Sequence, residues 1–272
     1  MHDPAIPDIL KKILDTKKLE IQEKLPLAKE FIRVTKDMPP ALDFKAALNS
    51  GRPAVIAEIK KASPSAGVII ENFSPETIAL AYRNGGADAV SILTDEKYFH
   101  GSAKYIPAVR PFLKDIPILR KDFILHPVQV YEARALGADS FLLISGVLNV
   151  MKLAELINLG RELGMEPLVE AHSSEELENA IEAGAIILGV NNRNLHNFTV
   201  DISRSEKLIG MMPKASIAVS ESGIKSAADA ERLFSAGYKA VLVGECLMRS
   251  GIEKCGTIIR EFKNHACVQS DK

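Results

Sequence analysis

Eight short apolar segments recur along this chain, and polar or charged residues follow each of them at once. The segments are AVIA (54–57), AVSIL (89–93), IPIL (116–119), FLLI (141–144), PLV (167–169), IILGV (186–190), SIAV (216–219) and AVLV (240–243). Helical patterns lie between them at intervals of roughly 20–35 residues, which is typical of successive βα units. The segments are almost continuously apolar, as expected for parallel strands covered on both faces. The pattern therefore predicts a parallel sheet whose polar strand ends lie at one edge.

A repeated unit strengthens this prediction. The segments AYRNGGADAVSILTD (81–95), EARALGADSFLLISG (132–146), ENAIEAGAIILGVNN (178–192) and ERLFSAGYKAVLVGE (231–245) each combine a helix, a glycine and a strand. Glycine accepts the left-handed conformation that ends a helix. Eight similar units predict an α/β fold of the (β/α)8 TIM barrel type, which typically needs about 250 residues. An open doubly wound sheet is the alternative, but its dinucleotide fingerprint G-x-G-x-x-G is absent after the first strand.

The chain before the first strand has helical spacing and no strand signal. We predict two helices within residues 6–36, with a break near Pro26. The second helix should end before the Met-Pro-Pro sequence at 38–40, because proline stops a helix. A further short helix is expected at 44–48. We expect residues 1–50 to form an N-terminal helical extension and residues 51–265 to form the catalytic barrel.

Composition restricts the function classes. Charged residues make up 25% of the chain but the formal net charge is -1, so no global basic field attracts nucleic acid. Cys246, Cys255 and Cys267 lack Cys-x-x-Cys spacing, which argues against a disulfide framework or a zinc site. Scattered histidines give no metal spacing, and no apolar run approaches the ~18 residues that cross a bilayer. We expect a cytoplasmic protein that uses neither a metal nor a membrane.

The segment AEIKKASPSAG (57–67) is the most specific motif. Glu58 and Lys60 are two positions apart in a strand, so their side chains point to the same side, which is the pocket in a barrel. The Ser-Pro-Ser sequence that begins at Ser63 predicts a stiff loop able to fold over a ligand. A surface salt bridge followed by an ordinary turn is the alternative.

Two further strand ends carry groups suited to proton transfer. Lys121, at the end of the third strand, is a candidate acid, base or Schiff-base nucleophile unless it points outward. Glu170, from the fifth strand, is expected to have a raised pKa through burial, although a structural ion pair is the alternative. Asp122 is predicted to face away from the pocket, and His172 to support the site or cap a helix.

The last strand ends suit anion recognition. Asn191 and Arg193 are expected on one side of a strand end, where a guanidinium group can bind two oxygens of a carboxylate or phosphate. Glycine-containing turns follow the seventh and eighth strands, where barrels commonly bind phosphate through backbone N–H groups. The turn residues are Ser222, Gly223, Gly244 and Glu245.

Together these motifs resemble those of one enzyme family. EIKKASPSAG, SILTDEKYFHGS, ILRKDFI, LVEAH, GVNNRNL, SESGI and VGECLM follow in order between about residues 6 and 260. They resemble indole-3-glycerol-phosphate synthase of tryptophan biosynthesis, a carboxy-lyase with a TIM barrel. The resemblance implies ring closure of 1-(2-carboxyphenylamino)-1-deoxyribulose 5-phosphate with loss of carbon dioxide and water. It further implies a phosphorylated small-molecule substrate, no cofactor, and a monomer or weak homodimer.

The resemblance also implies roles for individual residues. Lys121 would be the acid for the ketone oxygen, and Glu170 and Glu58 the acid–base pair for dehydration. Lys60 would bind the carboxylate or phosphate, or exchange roles with Lys121. The implied substrate-binding residues are Ser63, Phe123, Leu142, Asn191, Arg193, Ser222, Gly223, Gly244 and Glu245, with Phe123 and Leu142 forming the slot for the aromatic ring.

Three alternative functions remain at this point. A phosphate-binding barrel that isomerises a related phosphoribosyl compound would give no indole. A Schiff-base aldolase using Lys121 would be trapped covalently by borohydride in the presence of substrate. A non-catalytic scaffold would be expected to lack the polar groups that this chain places at its strand ends.

Overall fold

The computed structural model describes residues 7–265. Residues 1–6 and 266–272 lie outside the described part, as does the side chain of His265. The first six residues of the predicted extension and Cys267 therefore fall outside the described residues.

Eight parallel strands close into a barrel, as the sequence predicts. The strands are β1 (Ala54–Ile59), β2 (Ala89–Leu93), β3 (Ile118–Lys121), β4 (Ser140–Ile144), β5 (Leu168–Ala171), β6 (Ile187–Asn191), β7 (Ile217–Glu221) and β8 (Ala240–Val243). Each pairs with its sequence neighbour, and β1 pairs with β8 in the register Ala54 to Ala240. The closed barrel excludes the open doubly wound sheet.

Helices alternate with the strands. They are α1 (Asp8–Lys24), α2 (Ala28–Asp37), α3 (Phe44–Leu48), α4 (Pro75–Gly85), α5 (Glu96–Phe99), α6 (Tyr105–Leu113), α7 (Pro127–Ala135), α8 (Val150–Glu162), α9 (Ser174–Glu182), α10 (Ser203–Leu208), α11 (Ala227–Ser235), α12 (Glu245–Ser250) and α13 (Ile252–His265). The glycines of the sequence repeat end four of them in the left-handed region. They are Gly86 (φ 81°), Gly137 (φ 94°), Gly184 (φ 84°) and Gly237 (φ 113°). Within residues 7–265, no helix is long and apolar enough to span a membrane.

Side-chain alternation along the strands builds the interior. Ile56, Leu119, Leu168 and Val219 belong to the cluster that fills the barrel, while the apolar strand residues that alternate with such inward positions pack under the surrounding helices. Because alternate residues share a face, the next inward position on these strands is polar. These inward strand ends are Glu58, Lys121, Glu170 and Glu221.

Several strands run further than the apolar segments predict. β3 includes Lys121, β5 includes Glu170 and β7 includes Glu221, whereas the apolar runs alone place the ends of these strands two residues earlier. The polar residues keep strand conformation because they remain buried and partnered at the barrel mouth. The strands therefore deliver these side chains in a fixed orientation.

The N-terminal helices cover both ends of the barrel. α1 and α2 are separated by a 3-10 turn at Leu25–Leu27, in agreement with the predicted break near Pro26. α3 places Phe44 and Leu48, 1% and 0% exposed, among the residues that fill the barrel interior. α1 instead lies near the carboxyl ends of the strands, where Leu10 and Ile13 face the cavity described below.

Candidate active site

A cavity of about 680 Å³ opens at the carboxyl ends of the strands. Every site residue predicted from the sequence lines it. These residues are Glu58, Lys60, Ser63, Lys121, Phe123, Leu142, Glu170, Asn191, Arg193, Ser222, Gly223, Gly244 and Glu245. The barrel thus brings together side chains that are up to almost two hundred positions apart in the chain, which is how TIM barrels form their sites.

Lys121 lies between two carboxyl groups on the cavity wall. Its Nζ is 3.1 Å from Glu170 Oε2 and 3.2 Å from Glu221 Oε2. The side chains of Glu170 and Glu221 are only 4% and 1% exposed. Since β3, β5 and β7 point all three inward, one ammonium group faces two carboxyl groups in a poorly solvated place.

Lys121, Glu170 and Glu221 differ in how readily each gives up its proton. Burial alone would raise the pKa of Glu170, but attraction to Lys121 and then to His172 outweighs burial and lowers it to about 2. The same two glutamates raise the pKa of Lys121 above its ordinary value, against the effect of burial. The expectation that burial raises the pKa of Glu170 is therefore wrong, because a lysine from another strand holds this carboxylate ionised.

Glu221 is the carboxyl group that keeps a proton. Burial and the charge of Glu170 raise its pKa to about 8, although Lys121 opposes them. Lys121 Nζ lies 3.2 Å from Glu221 Oε2 but without the geometry of a regular hydrogen bond. A side chain at Gly189 would collide with Glu221 Oε1, so the glycine makes room for the carboxyl group.

Sequence reasoning did not include Glu221 among the site residues, although a signal was present. Glu221 is the second residue after the seventh apolar segment, and Glu170 is the first residue after the fifth. The neighbouring Ser-Gly turn drew attention to backbone phosphate binding instead.

Glu58 and Lys60 form an ion pair on the adjacent wall. Glu58 Oε1 lies 2.6 Å from Lys60 Nζ, and both side chains are largely buried. A Cβ atom at Gly244 would collide with Glu58 Oε1, so Gly244 is needed for space as well as for its turn. The pair faces the cavity, which excludes the surface salt bridge.

Arg193 connects three segments of the cavity rim. Its guanidinium group lies 3.3 Å from Ser65 Oγ and 3.5 Å from Glu245 Oε2. Asn191 Oδ1 accepts the backbone N–H of Arg193 at 2.9 Å, which fixes the turn after β6. The guanidinium group therefore stands beside the Ser-Pro-Ser loop and can replace these long contacts by contacts to an anion.

The turns after β7 and β8 form the opposite side of the cavity. Ser222 and Gly223 have φ values of 66° and 86°, and a Cβ atom at Gly223 would collide with Val200. Glu245 begins α12 and is 2.9 Å from Arg249 Nε. Arg249 also lines the cavity, a residue that the sequence reasoning did not single out.

The apolar side of the cavity includes the N-terminal helix. Ile9, Leu10 and Ile13 of α1 line it together with Leu142. Phe123 and Phe99 pack with their ring centroids 6.1 Å apart. The sequence does not decide whether the N-terminal extension covers the rim of its own barrel or contacts a partner protein. In the structure, part of α1 forms a wall of the cavity.

His172 stands behind Glu170, as expected for a supporting residue. Its Nε2 lies 3.4 Å from Glu170 Oε1 and its Nδ1 lies 3.3 Å from Glu176 Oε2. The carboxylate of Asp122 is directed toward Arg120 and Lys17, in agreement with the expectation, although the residue also forms part of the cavity lining.

Known proteins match both the sequence and the fold. The profile of a family described as "Indole-3-glycerol phosphate synthase" matches residues 10–260. Indole-3-glycerol phosphate synthase of Chloroherpeton thalassium is 48% identical over 247 residues, 89% of this chain and 95% of that protein. The protein of the same name from Alkaliphilus metalliredigens is 42% identical over 264 residues, 95% of this chain and 99% of that protein.

Solved structures resemble the chain at the level of the fold. The tryptophan synthase alpha chain from Legionella pneumophila superimposes with a TM-score of 0.60 at 12% identity, over 84% of this chain and 98% of that chain. At this identity the likeness supports the barrel fold alone.

Proposed function

Because the chain belongs to the indole-3-glycerol phosphate synthase family, we propose that its cavity closes the indole ring of 1-(2-carboxyphenylamino)-1-deoxyribulose 5-phosphate. The chain is a carboxy-lyase of tryptophan biosynthesis that acts on a phosphorylated small molecule. This substrate offers an aromatic ring with a carboxylate, a hydroxylated carbon chain and a terminal phosphate. The cavity offers side chains or backbone groups suited to each of these three parts of the substrate.

The observation that carries the proposal is the position of Lys121 Nζ, 3.1 Å from Glu170 and 3.2 Å from Glu221. Lys121 donates a proton to the ketone oxygen while the ring carbon that bears the carboxylate attacks the ketone carbon. Loss of carbon dioxide from this ring carbon then returns an electron pair to the aromatic ring. Glu221 holds a proton beside Lys121, so it can restore the proton that the lysine gives away.

Dehydration completes the indole. The hydroxyl group formed from the ketone leaves as water, and the neighbouring methylene carbon loses a proton. Glu170 is ionised and is therefore the base for that proton. Lys60, held at 2.6 Å by Glu58, donates the proton to the leaving hydroxyl group. This assignment keeps Glu170 of the expected acid–base pair as the base, and it gives the role of the acid to Lys60, which Glu58 orients.

Substrate binding follows from the chemistry of the three sides of the cavity. Phe123 and Leu142, with the apolar face of α1, enclose the aromatic ring. Asn191 and Arg193 bind the hydroxyl and anionic oxygens. The phosphate lies against the turns after β7 and β8, where Ser222, Gly223 and Gly244 present backbone N–H groups and Glu245 adjoins the two arginines. Ser63 brings its loop over the bound ligand.

Location and assembly complete the proposal. We propose that the chain works in the cytoplasm, as its composition suggests, and that it acts as a monomer or weak homodimer. A complete cavity within one chain supports this assembly, since no second copy is needed to supply a site residue. Sedimentation across a range of protein concentrations tests it, and a stable dimer or larger assembly at every concentration would contradict it.

Incubation of the purified protein with the carboxyphenylamino sugar phosphate tests the function directly. We expect indole fluorescence to increase with time, equally with and without a chelator, and heat-denatured protein to give no increase. Borohydride should trap no covalent adduct, in contrast to a Schiff-base aldolase. Absence of indole with the native protein would contradict the proposal.

A further inference from the structure

His172 stands between two carboxylates, and only one of them belongs to the cavity lining. Its Nε2 lies 3.4 Å from Glu170 Oε1 and its Nδ1 lies 3.3 Å from Glu176 Oε2. The side chain is 14% exposed. A neutral imidazole has a single N–H, so a ring that faces a carboxylate with each nitrogen is best satisfied when both nitrogens carry protons.

Glu176 is itself held in place from several directions. It lies in the first turn of α9, and its Oε2 accepts the backbone N–H of His172 at 2.7 Å. Ser145 Oγ donates to the backbone carbonyl of Glu176 at 2.7 Å. A Cβ atom at Gly146 would lie 2.7 Å from Glu176 Oε1, so this glycine leaves the space that the carboxylate occupies.

Each oxygen of Glu170 therefore lies beside a basic group, although the contact to His172 Nε2 is an ion-pair contact and not a hydrogen bond. Its Oε2 faces Lys121 at 3.1 Å and its Oε1 faces His172 at 3.4 Å. We propose that His172 and Glu176 are positioning residues, which hold Glu170 Oε1 so that Oε2 remains directed at Lys121 and the substrate. This inference rests on the proposed function, because it assigns a support to the base of that reaction.

The surrounding charges favour this arrangement. Burial would lower the pKa of His172, but its hydrogen bond with Glu176 of α9 and the charges of Glu170 of β5 and Glu176 raise it; Glu221 of β7, the remaining carboxyl group on this side, contributes only where it is ionised. The protonated ring in turn contributes, after Lys121, to keeping Glu170 ionised. Removing the charge of Glu176 should therefore lower the pKa of His172, and a neutral His172 would hold the Glu170 carboxylate less firmly in place.

A double-mutant cycle separates positioning from a merely structural role. We expect His172→Leu to lower kcat about tenfold while KM changes less than about twofold, and His172→Gln, which keeps a donor, to recover most of the loss. In a Glu170→Gln background, His172→Leu should cause no further loss of kcat. An equal loss in both backgrounds would overturn the proposal, because the histidine would then act independently of Glu170.

A second readout needs no turnover. Nitrogen NMR of the labelled histidine ring should show that His172 titrates above the ordinary range near 6.5 in the wild type and lower in Glu176→Gln. Identical titration in both proteins would overturn the role of Glu176. If the wild type formed no indole, the proposed function would fail while this titration still tested the His172–Glu176 pair.

Discussion

Charged side chains at and directly after the end of strand β3 point to both of its faces, and the two clusters that result differ in the charge state of their carboxyl groups. Lys121 points into the barrel and meets Glu170 and Glu221, which we call the mouth cluster. Arg120 and Asp122 point outward to the helices, where they form the wall cluster with Lys17, Asp95 and Glu132. Both clusters are buried, so solvent exposure alone does not distinguish them.

The wall cluster is closed. Lys17 Nζ lies 2.9 Å from both Asp95 and Asp122, and Arg120 lies 3.1 Å from Asp122 and 2.8 Å from Glu132. Burial would raise the pKa of Asp122, but Arg120 and then Lys17 hold it well below its ordinary value. The cluster joins α1, β3 and α7, so its charges fix the extension against the barrel.

The mouth cluster is open. One lysine faces two carboxyl groups, and burial together with the charge of Glu170 leaves Glu221 with a proton although Lys121 Nζ lies 3.2 Å away. Groups whose pKa is shifted beside a cavity are typical of catalytic sites. The comparison indicates that carboxylates held ionised by lysine and arginine stabilise the structure, whereas a carboxyl group that keeps a proton beside a cavity can supply it to a reaction.

The largest effect is expected from breaking the wall cluster. Asp122→Asn leaves Lys17 and Arg120 with less compensation, and we expect it to lower the free energy of unfolding by about 3–5 kcal/mol. Urea unfolding measures this, with Asp15→Asn as the control because Asp15 and its partner Lys18 are 59% and 68% exposed. A loss as small as that of the control would refute the structural role of the cluster.

The same variant has a consequence for pH. The folded protein holds the pKa of Asp122 below its unfolded value, so this residue stabilises above pH ~4 and the stabilisation is lost as pH falls. Asp122→Asn should therefore reduce the loss of stability between about pH 5 and pH 2. An unchanged acid profile of unfolding would show that Asp122 is not the responsible group.

Substitution in the mouth cluster should change catalytic activity more than stability. We expect Lys121→Ala to lower kcat about a hundredfold or more, the range found when a general acid is removed. Its free energy of unfolding should change less than that of Asp122→Asn, because the cavity is open and Glu221 already holds a proton. Lys18→Ala is the control for activity, and near-normal turnover of Lys121→Ala would overturn the assignment of the acid.

A smaller effect, on the pH dependence of stability, is expected when Glu221 is replaced by a residue that cannot ionise. Its folded pKa of about 8 exceeds the unfolded value near 4.3, so the folded state binds the extra proton and becomes less stable as pH rises through this window. Glu221→Gln should therefore be more stable than the wild type at pH 8, by about 1 kcal/mol or more. Parallel stability curves of both proteins from pH 5 to pH 8 would contradict this.

The smallest effect is expected at the exposed end of the wall cluster. Lys24 pairs with Glu132 at 2.7 Å, but its side chain is 23% exposed and Arg120 still holds the same carboxylate. We expect Lys24→Met to lower the free energy of unfolding by no more than about 1 kcal/mol. A loss comparable with that of Asp122→Asn would extend the tightly coupled part of the cluster to the surface.

The sequence predicts the barrel and the membership of the cavity because both depend on local order. An apolar segment specifies a strand, and the first inward-facing residue after it lies at the barrel mouth whatever the partners are. The glycines that end the repeated helices are likewise predictable from the sequence, because glycine accepts the left-handed conformation. For this reason all the predicted site residues line one cavity.

The sequence does not predict which carboxyl group is protonated. Glu170 and Glu221 occupy equivalent places at the ends of two apolar segments, and their pKa values diverge only through partners from other elements. Arg120 is a similar case, because nothing in the segment LRKDF indicates that it is fully buried against α7. Contacts between distant segments decide both properties.

Carbon NMR of protein labelled at the aspartate and glutamate carboxyl groups compares the two clusters in one titration. The account predicts that the Glu221 signal, identified by its absence in Glu221→Gln, titrates near pH 8. The Asp122 signal should stay in its ionised position down to the lowest pH at which the protein is folded. If Glu221 instead titrated with the exposed carboxyl groups near pH 4–5, the distinction between an open mouth cluster and a closed wall cluster would be contradicted.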